Sequence, residues 1–175
     1  MIFKIIEREK IYSGHVFNIE IIKTKLPDDQ IKNYDLVNHA PAVTIIPIDE
    51  LGNIVFVKQY RIGSLSNLLE LPAGVMERDE KPEICAIREI REEIGMSASN
   101  LEYLGKFFLA PGYSTELMHV FLATGLYSSP LASDPDEYID VKRIHKSEVI
   151  EFARSGNLID GKSLSALFLA EPHLH

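Results

Sequence analysis

The chain has 175 residues, and its 26 Asp and Glu against 18 Lys and Arg give it a formal net charge of −8. This acid excess argues against a protein that holds DNA or RNA by its phosphates, because such surfaces are basic overall. The single cysteine, Cys85, cannot form an internal disulfide, and neither a signal-peptide pattern nor an apolar run near the ~18 residues of a membrane span is present, so we expect a cytoplasmic protein.

The first part of the chain has the composition of β-strands. In residues 16–24, Phe17, Ile19 and Ile21 alternate with polar residues as in a half-buried strand, and residues 33–37 read as the returning strand. Residues 42–47 form a short apolar run suited to a strand buried on both faces. We therefore predict two domains: a small antiparallel β domain at 1–40 and a mixed α+β domain at 41–175.

The second domain alternates between strands and helices. Residues 54–61 read as a strand, and 82–94 have the pattern of a helix, with Pro82 in the first turn and Gly95 at a left-handed C-terminal cap. Further elements are predicted in this order: a short apolar piece at 69–74, strands at 101–109, 117–123 and 138–144, and helices at 147–155 and 163–170.

The helix at 82–94 is rich in acids. At about 100° per residue, four isoleucines share one face: Ile84, Ile87, Ile90 and Ile94. Three glutamates gather on roughly the opposite side: Glu89, Glu92 and Glu93. Carboxylates at these spacings repel one another, and a divalent cation such as Mg²⁺ or Mn²⁺ would reverse the repulsion. From the helix alone, a solvated acidic face offset by Arg88 and Arg91 is the alternative.

The wider spacing around this helix is specific. Gly74 is followed after five residues by Glu80, after seven more by Arg88-Glu89-Ile90, after one more by Glu92-Glu93, and after one more by Gly95-Met96. Every position of the Nudix box is filled, so the sequence resembles a Nudix hydrolase. The resemblance implies an α/β/α Nudix sandwich with a mixed sheet, in addition to the N-terminal antiparallel β domain.

In Nudix hydrolases the box holds divalent cations against a diphosphate. The resemblance therefore implies Mg²⁺ or Mn²⁺ as cofactor and these ligands: the carbonyl of Ala73 and the carboxylates of Glu89, Glu92 and Glu93. Glu92 or Glu93 is also a catalytic candidate that orients or activates the attacking water. Structural roles are implied for the remaining box residues: Gly74, Glu80, Arg88 and Gly95. Cys85 fits a packing residue better than a catalytic thiol.

The residues flanking the box resemble those of ADP-ribose pyrophosphatases, which cleave ADP-ribose to AMP and ribose 5-phosphate. The likeness lies in 59–61, in 69–74 and in 110–116, where Ala110 replaces a serine of the subfamily. It implies these substrate-binding residues: Gln59, Arg61, Val75, Ala110, Pro111, Gly112 and Glu116. Two alternatives stay open, a GDP-mannose or other nucleoside diphosphate sugar pyrophosphatase and a non-catalytic Nudix sensor, although a sensor tends to lose box glutamates that are present here.

A loop after the Pro-Gly segment often carries an acid in this subfamily. Within 133–138, Glu137 is the best match for an acid that contacts the metal and takes part in catalysis. The position two residues earlier, where a base would stand, is Pro135, which cannot act as one. Asp136 or Glu137 would take that role, or Glu92 or Glu93 would.

The resemblance also implies a homodimer, formed through the N-terminal β domain, that binds a nucleoside diphosphate sugar and neither nucleic acid nor a membrane. Tyr12, Phe17 and Tyr34 are candidates to stack on the base, although Phe17 also fits core packing. Residues 76–93 and 134–140 carry seven of the eight net negative charges. The acidity is thus concentrated where divalent cations would neutralise it.

Overall fold

The structure is a computed structural model that describes residues 2–132 and 138–174. The chain forms two compact units, one from Met1–Pro41 with Phe108–Leu117 and the other from Ala42–Phe107 with Met118–His175. Nothing in the sequence had indicated that the segment 108–117 would pack with the N-terminal strands.

The first unit contains an antiparallel sheet in the order β1-β2-β3. Its strands are β1 Lys4–Ser13, β2 Phe17–Lys25 and β3 Ile31–His39. Every residue of β1 is exposed, including the apolar Ile5, Ile6 and Ile11. This unit is the antiparallel sheet that the sequence predicted, but much of its apolar surface is open to solvent.

The buried face of β2 is opposite to the one predicted. The strand buries three alternate residues: Glu20, Ile22 and Thr24. Phe17 is exposed, so the expectation that it packs in a core is wrong, and Ile19 and Ile21 are only half buried. Glu20 can be buried on this face because Asn38 and Arg8 donate hydrogen bonds to its two carboxylate oxygens, at 2.6 Å and 3.2 Å.

The segment 108–117 lies alongside β3 and is joined to it by backbone hydrogen bonds. Ala110 begins a tight turn, in which its carbonyl accepts from the N–H groups of Tyr113 at 3.1 Å and Ser114 at 2.8 Å. The N–H of Val37 then donates to the carbonyl of Tyr113 at 2.7 Å, and the N–H of Thr115 donates to the carbonyl of Val37 at 3.0 Å. The Pro-Gly segment is therefore held by strand-like pairing in the first unit.

The second unit contains two sheets. One has the order β7-β4-β9-β8, with β4 parallel to β9 and antiparallel to β7, and it is therefore mixed. The other is antiparallel in the order β10-β5-β6. The strands are β4 Ala42–Pro47, β5 Asn53–Arg61, β6 Ser66–Glu70, β7 Ala73–Val75, β8 Met96–Phe108, β9 Leu117–Ser128 and β10 Asp140–His145.

Helices cover both faces of β4, which is buried along its whole length. The helices are α1 Pro82–Glu93, α2 Val149–Arg154 and α3 Gly161–Ala170, followed by a 3₁₀ turn at Glu171–His173. Val43 and Ile45 pack in one core cluster with Ile90 of α1, whereas Ile46 packs in a second cluster with Leu167 of α3. The predicted sandwich of helices around a mixed sheet is confirmed. No helix in the described part of the chain is long and apolar enough to cross a membrane.

Helix α1 begins at the predicted residue, Pro82, and ends one residue before the predicted 94. Gly95 has a φ of +69°, as a left-handed cap requires. Three of the four isoleucines predicted to share one face pack in the core, Ile90 fully and Ile87 and Ile94 partly, whereas Ile84 is 61% exposed. The glutamates are not all on an opposite, outer face, because α1 packs against β7 as well as β4 and buries Glu89 and Glu93.

Candidate active site

The candidate site is formed where α1 lies against the short strand β7. The N–H of Ala73 donates a hydrogen bond to Oε2 of Glu93 at 3.1 Å. At the next residue, a Cβ on Gly74 would lie 1.9 Å from Oε1 of Glu89. The Glu89 carboxylate therefore occupies the space that a side chain at position 74 would need, and Glu93 is hydrogen-bonded to the same strand.

Arg88 forms ion pairs with three acids of the box, Glu80, Glu89 and Glu92. Its Nε and Nη2 donate to the two carboxylate oxygens of Glu80 at 3.0 Å each, a two-point ion pair. Its Nη1 donates to Glu89 at 2.7 Å and to Glu92 at 2.9 Å, and its Nη2 also donates to the carbonyl of Val75 at 3.2 Å. The hydrogen bond from Arg88 outweighs burial and holds the pKa of Glu80 below its ordinary value. These bonds fix the loop before α1 to the helix.

The donor atoms on this face suit a hard divalent cation. Glu89 and Glu93 are only 8% and 6% exposed, and carboxylate oxygens are the ligands that Mg²⁺ prefers. Among residues 2–132 and 138–174, however, no three His, Cys, Asp or Glu side chains are arranged as a ready metal site. On this face the Nη1 of Arg88 pairs with both Glu89 and Glu92. The carboxylates are chemically suited to a divalent cation. In this structure the positive charge beside them is that of Arg88.

Cys85 lies within the same helix and is fully buried. Burial, reinforced by the negative charge of Glu89, raises the pKa of its thiol far above the ordinary value. A thiol in this state is neutral and a poor nucleophile. The sequence interpretation of Cys85 as a packing residue agrees with this environment.

Arg61, predicted to bind substrate, is held by a residue that the sequence analysis did not single out. At the end of β5, its Nε and Nη2 donate to the two oxygens of Glu70 on β6, at 2.9 Å and 2.7 Å. The Glu70 side chain is 1% exposed, and Nζ of Lys162 also donates to it. Burial acts to raise the pKa of Glu70, but hydrogen bonds and charges from the two cations together lower it. Glu70 is therefore a buried carboxylate.

Arg61 also lies within electrostatic reach of the box. The hydrogen bond to Glu70 is the main reason that the pKa of Arg61 is raised, against the opposing effect of burial, and the charges of Glu93 and Asp160 raise it further. Arg61 is thus linked to a box glutamate by charge as well as to Glu70 by contact. A lone glutamate within the apolar stretch 68–71 was the signal in the sequence that a buried ion pair was present.

Lys162 is fixed at the beginning of α3. Asp160 caps this helix by accepting from the N–H of Ser163 at 3.0 Å, and it also accepts from Nζ of Lys162 at 2.9 Å. The hydroxyl of Ser163 accepts from the N–H of Leu71 at 2.8 Å, which ties α3 to the chain between β6 and β7. Asp160 is a favoured N-cap residue, and it places the start of α3 at Gly161, two residues before the predicted Ser163.

The remaining predicted site residues lie in several places. Gln59 is buried in β5. The segment Ala110-Pro111-Gly112 and Glu116 belong to the first compact unit, whereas the box belongs to the second. Glu137, together with Pro135 and Asp136, lies outside the described residues. The structure therefore brings together the box residues with Ala73 and Val75, and it links Arg61 to them through charge.

The fold is a mixed sheet between helices, and the buried glutamates of a complete box lie where β7 meets α1. Together these two features define a class of hydrolases. The NUDIX domain model matches residues 38–166, and the chain belongs to the Nudix family. The chain is 32% identical over 166 residues to the methanol dehydrogenase activator of Bacillus methanolicus and, by the same measures, to the ADP-ribose pyrophosphatase of Bacillus subtilis (strain 168). Each alignment covers 94% of this chain and 90% of the relative.

A solved structure supports the same fold. The crystal structure of an ADP compounds hydrolase matches with a TM-score of 0.89 and 24% identity, over 99% of this chain and 95% of that one. At this identity the likeness establishes the fold alone. Taken with the family and the relatives, the chain is a Nudix pyrophosphatase, and Nudix hydrolases generally use divalent metal ions.

Proposed function

We propose that the protein hydrolyses the diphosphate linkage of ADP-ribose to AMP and ribose 5-phosphate, with Mg²⁺ or Mn²⁺ as cofactor. The observation that carries the reaction class is the pair of buried glutamates held on β7, Glu89 against Gly74 and Glu93 on the Ala73 N–H. The substrate class is supported by the 32% identity to an ADP-ribose pyrophosphatase over 94% of the chain.

In this proposal the cation is held by the carbonyl of Ala73 and the carboxylates of Glu89, Glu92, Glu93 and Glu137. When bound, it neutralises the charge of the diphosphate and lowers the pKa of a bound water. Arg88 is anchored by two hydrogen bonds to Glu80, and this pair holds the guanidinium beside the glutamates that would bind the cation. Glu80 and Arg88 are then bracing residues that do not touch the substrate.

The water that attacks the diphosphate is oriented and deprotonated by a glutamate. Glu92 and Glu93 are the candidates on α1, and Glu137 is the candidate from the loop. No covalent nucleophile is needed, and Cys85 is unsuited to that role because burial keeps its thiol neutral.

Substrate contacts are proposed on both sides of the scissile linkage. Arg61, at the end of β5, uses its guanidinium on a phosphate, a geometry that suits arginine, and Gln59 lies two residues earlier on the same strand. Val75, at the end of β7, is assigned to the substrate by the resemblance. The segment Ala110-Pro111-Gly112 and Glu116 are proposed to contact the terminal ribose of the substrate bound by the partner subunit.

A turnover panel with product identification tests this proposal. We expect Mg²⁺-dependent cleavage in which ADP-ribose has the highest kcat/KM among ADP-ribose, GDP-mannose, UDP-glucose, NADH and diadenosine polyphosphates, and in which excess EDTA abolishes turnover. A higher kcat/KM for GDP-mannose or UDP-glucose would transfer the proposal to another nucleoside diphosphate sugar. Full activity in EDTA would overturn the role of the cation.

We also propose that the chain is a homodimer formed through residues 1–40. The support is the fully exposed strand β1, whose apolar Ile5, Ile6, Ile11 and Tyr12 are each close to half exposed in one chain. Exposed apolar residues concentrated on one strand are typical of an interaction surface. Light scattering at micromolar concentration is expected to give twice the chain mass of 19.8 kDa, and a monomer would contradict the proposal.

A further inference from the structure

Two positively charged side chains, which differ in solvent exposure, form ion pairs with the buried carboxylate of Glu70. The side chain of Arg61 is 41% exposed, whereas that of Lys162 is 13% exposed. Both donate to the same oxygen, Oε2, and Arg61 alone also donates to Oε1. The lysine is thus the inner partner of the carboxylate, and the arginine is the partner that reaches the surface.

Lys162 is held in place independently of Arg61. Asp160 caps α3 and accepts from Nζ at 2.9 Å, and the same Asp160 oxygen accepts from the N–H and hydroxyl of Ser163. The lysine position is therefore set by the helix N-terminus. Because the lysine is preorganised, it fixes Glu70, and Glu70 in turn fixes the two N–H groups of Arg61 that face it.

Arg61 keeps hydrogen-bond donors for a further anion. The four charged side chains that meet here sum to zero, because Arg61 and Lys162 are balanced by Glu70 and Asp160. Lys162 therefore contributes a fixed position for Glu70 and not a net positive charge. Arg61 has five N–H donors, of which Glu70 takes two, so its fork keeps donors for a further anion.

We propose that Lys162 is a positioning residue for the diphosphate: through Glu70 it holds Arg61 in a fixed orientation, with the remaining N–H donors of the guanidinium available to the substrate. The inference rests on the proposed function, since it assigns Arg61 to a phosphate of the nucleoside diphosphate. It predicts that Lys162, which lies on α3 and not on the box helix α1, affects substrate binding.

The first test is a comparison of Lys162→Met, Lys162→Arg and Lys58→Met by steady-state kinetics with ADP-ribose and Mg²⁺. Lys162→Met is expected to raise KM roughly five- to tenfold while kcat changes less than twofold, because a contact equal in ground and transition states affects KM alone. Lys162→Arg is expected to restore KM to within about twofold, since it retains a cation for Glu70. Lys58 is an exposed lysine on β5, so its variant controls for the loss of one charge and is expected to leave KM unchanged.

A second comparison asks whether the lysine acts through Arg61. In an Arg61→Gln background, we expect Lys162→Met to give no further rise in KM, because no guanidinium remains to be positioned. An equal rise in both backgrounds would overturn the inference, since the lysine would then act on the substrate directly. Arg61→Gln leaves Glu70 paired with Lys162, and circular dichroism of each variant checks that the fold is retained.

The outcomes separate this inference from the proposed function. If the wild type hydrolyses ADP-ribose and Lys162→Met has an unchanged KM, the inference fails and the proposed function stands. If the wild type does not hydrolyse ADP-ribose, the proposed substrate fails, and the same variants are assayed with the best substrate of the panel, because a diphosphate is common to all of them. A fall in kcat at unchanged KM would also overturn the inference.

Discussion

Gly74 and Glu89 are in contact because the glycine has no side chain. A methyl group at position 74 would lie 1.9 Å from the Glu89 carboxylate, a distance that no relaxed structure accepts, so the glutamate or β7 must move. We predict that Gly74→Ala lowers kcat about a hundredfold while the protein remains folded, since an ångström of misplacement at a catalytic group has effects of this size.

Gly63→Ala is the matched control, because a Cβ at that position has no heavy atom within 4 Å. It should retain the kcat of the wild type in the same ADP-ribose assay, and thermal unfolding of both variants checks that they are folded. Wild-type kcat in Gly74→Ala would show that the position of Glu89 on β7 is not used in catalysis.

Residues that match a family spacing can be named from the sequence, whereas residues that meet across distant parts of the chain cannot. The resemblance to the Nudix box names its glutamates, Arg88 and Gly74, and their roles remain predictions. Glu70 and Lys162 are 92 positions apart, and neither has a local pattern that indicates the other. The ion pair depends on where α3 packs, which is a property of the fold.

At the scale of elements, the Ser163 hydroxyl is one of the links between α3 and the strands, beside the Lys162–Glu70 pair and the packing of Leu167. The Ser163 hydroxyl donates to Asp160 at 2.6 Å and accepts from the buried N–H of Leu71 at 2.8 Å. We predict that Ser163→Ala lowers the free energy of unfolding by about 1–3 kcal/mol, because the N–H of Leu71 loses its partner. Ser165→Ala, two positions along the same helix, should change it by less than ~0.5 kcal/mol. Urea unfolding measures both, and equal effects would contradict this role of Ser163.

Some element boundaries followed from local signals, whereas others and the burial of polar residues did not. Pro82 and Gly95 mark the ends of α1, and the apolar run 42–47 coincides with β4, but β8 begins at Met96, five residues before the predicted 101. The buried face of β2 was misassigned, and the burial of two α1 glutamates was missed, because hydrophobic periodicity ignores paired polar residues. Glu20 of β2 is buried through its bonds to Asn38 and Arg8, and the box glutamates are buried through β7 and Arg88.

At the scale of the whole molecule, folding depends on carboxylates that stay ionised. The pKa values of Glu70 and Glu80 are both below the ordinary ~4.3, so at acidic pH the unfolded chain binds more protons than the native state. Their contribution to stability is present above that ordinary pKa and is lost as pH falls through the lowered values. We predict that the free energy of unfolding falls as pH is lowered from about 5.5 to about 3.

The control for acid sensitivity is a pair of variants measured by urea unfolding at a series of pH values. Glu70→Gln should show a shallower fall in stability with decreasing pH than the wild type, because the amide does not titrate. Glu50→Gln removes an exposed glutamate and should follow the wild type. Identical slopes for all three proteins would mean that Glu70 does not contribute to acid unfolding.

The net charge of −8 also has a structural interpretation at this scale. Three acids of the segment 76–93 form ion pairs with Arg88, and two glutamates are buried against β7, so the acidic segment is ordered around a cation that the chain itself supplies.

The sequence predicted the sheet with helices on both faces and the separate antiparallel sheet. It did not predict that 108–117 belongs with the N-terminal strands, because that pairing is made by backbone hydrogen bonds and by the Thr115 hydroxyl on His39, 76 positions away, which no local pattern indicates.

The central claim is that the buried glutamates of α1 carry out diphosphate hydrolysis, and kcat of Glu93→Gln with ADP-ribose and Mg²⁺ tests it most directly. The amide keeps the size of the side chain but removes the charge, so we predict a loss of about two to three orders of magnitude in kcat with the fold intact. Glu83→Gln, on the exposed first turn of the same helix, should retain the wild-type kcat. Near-wild-type turnover by Glu93→Gln would contradict the account.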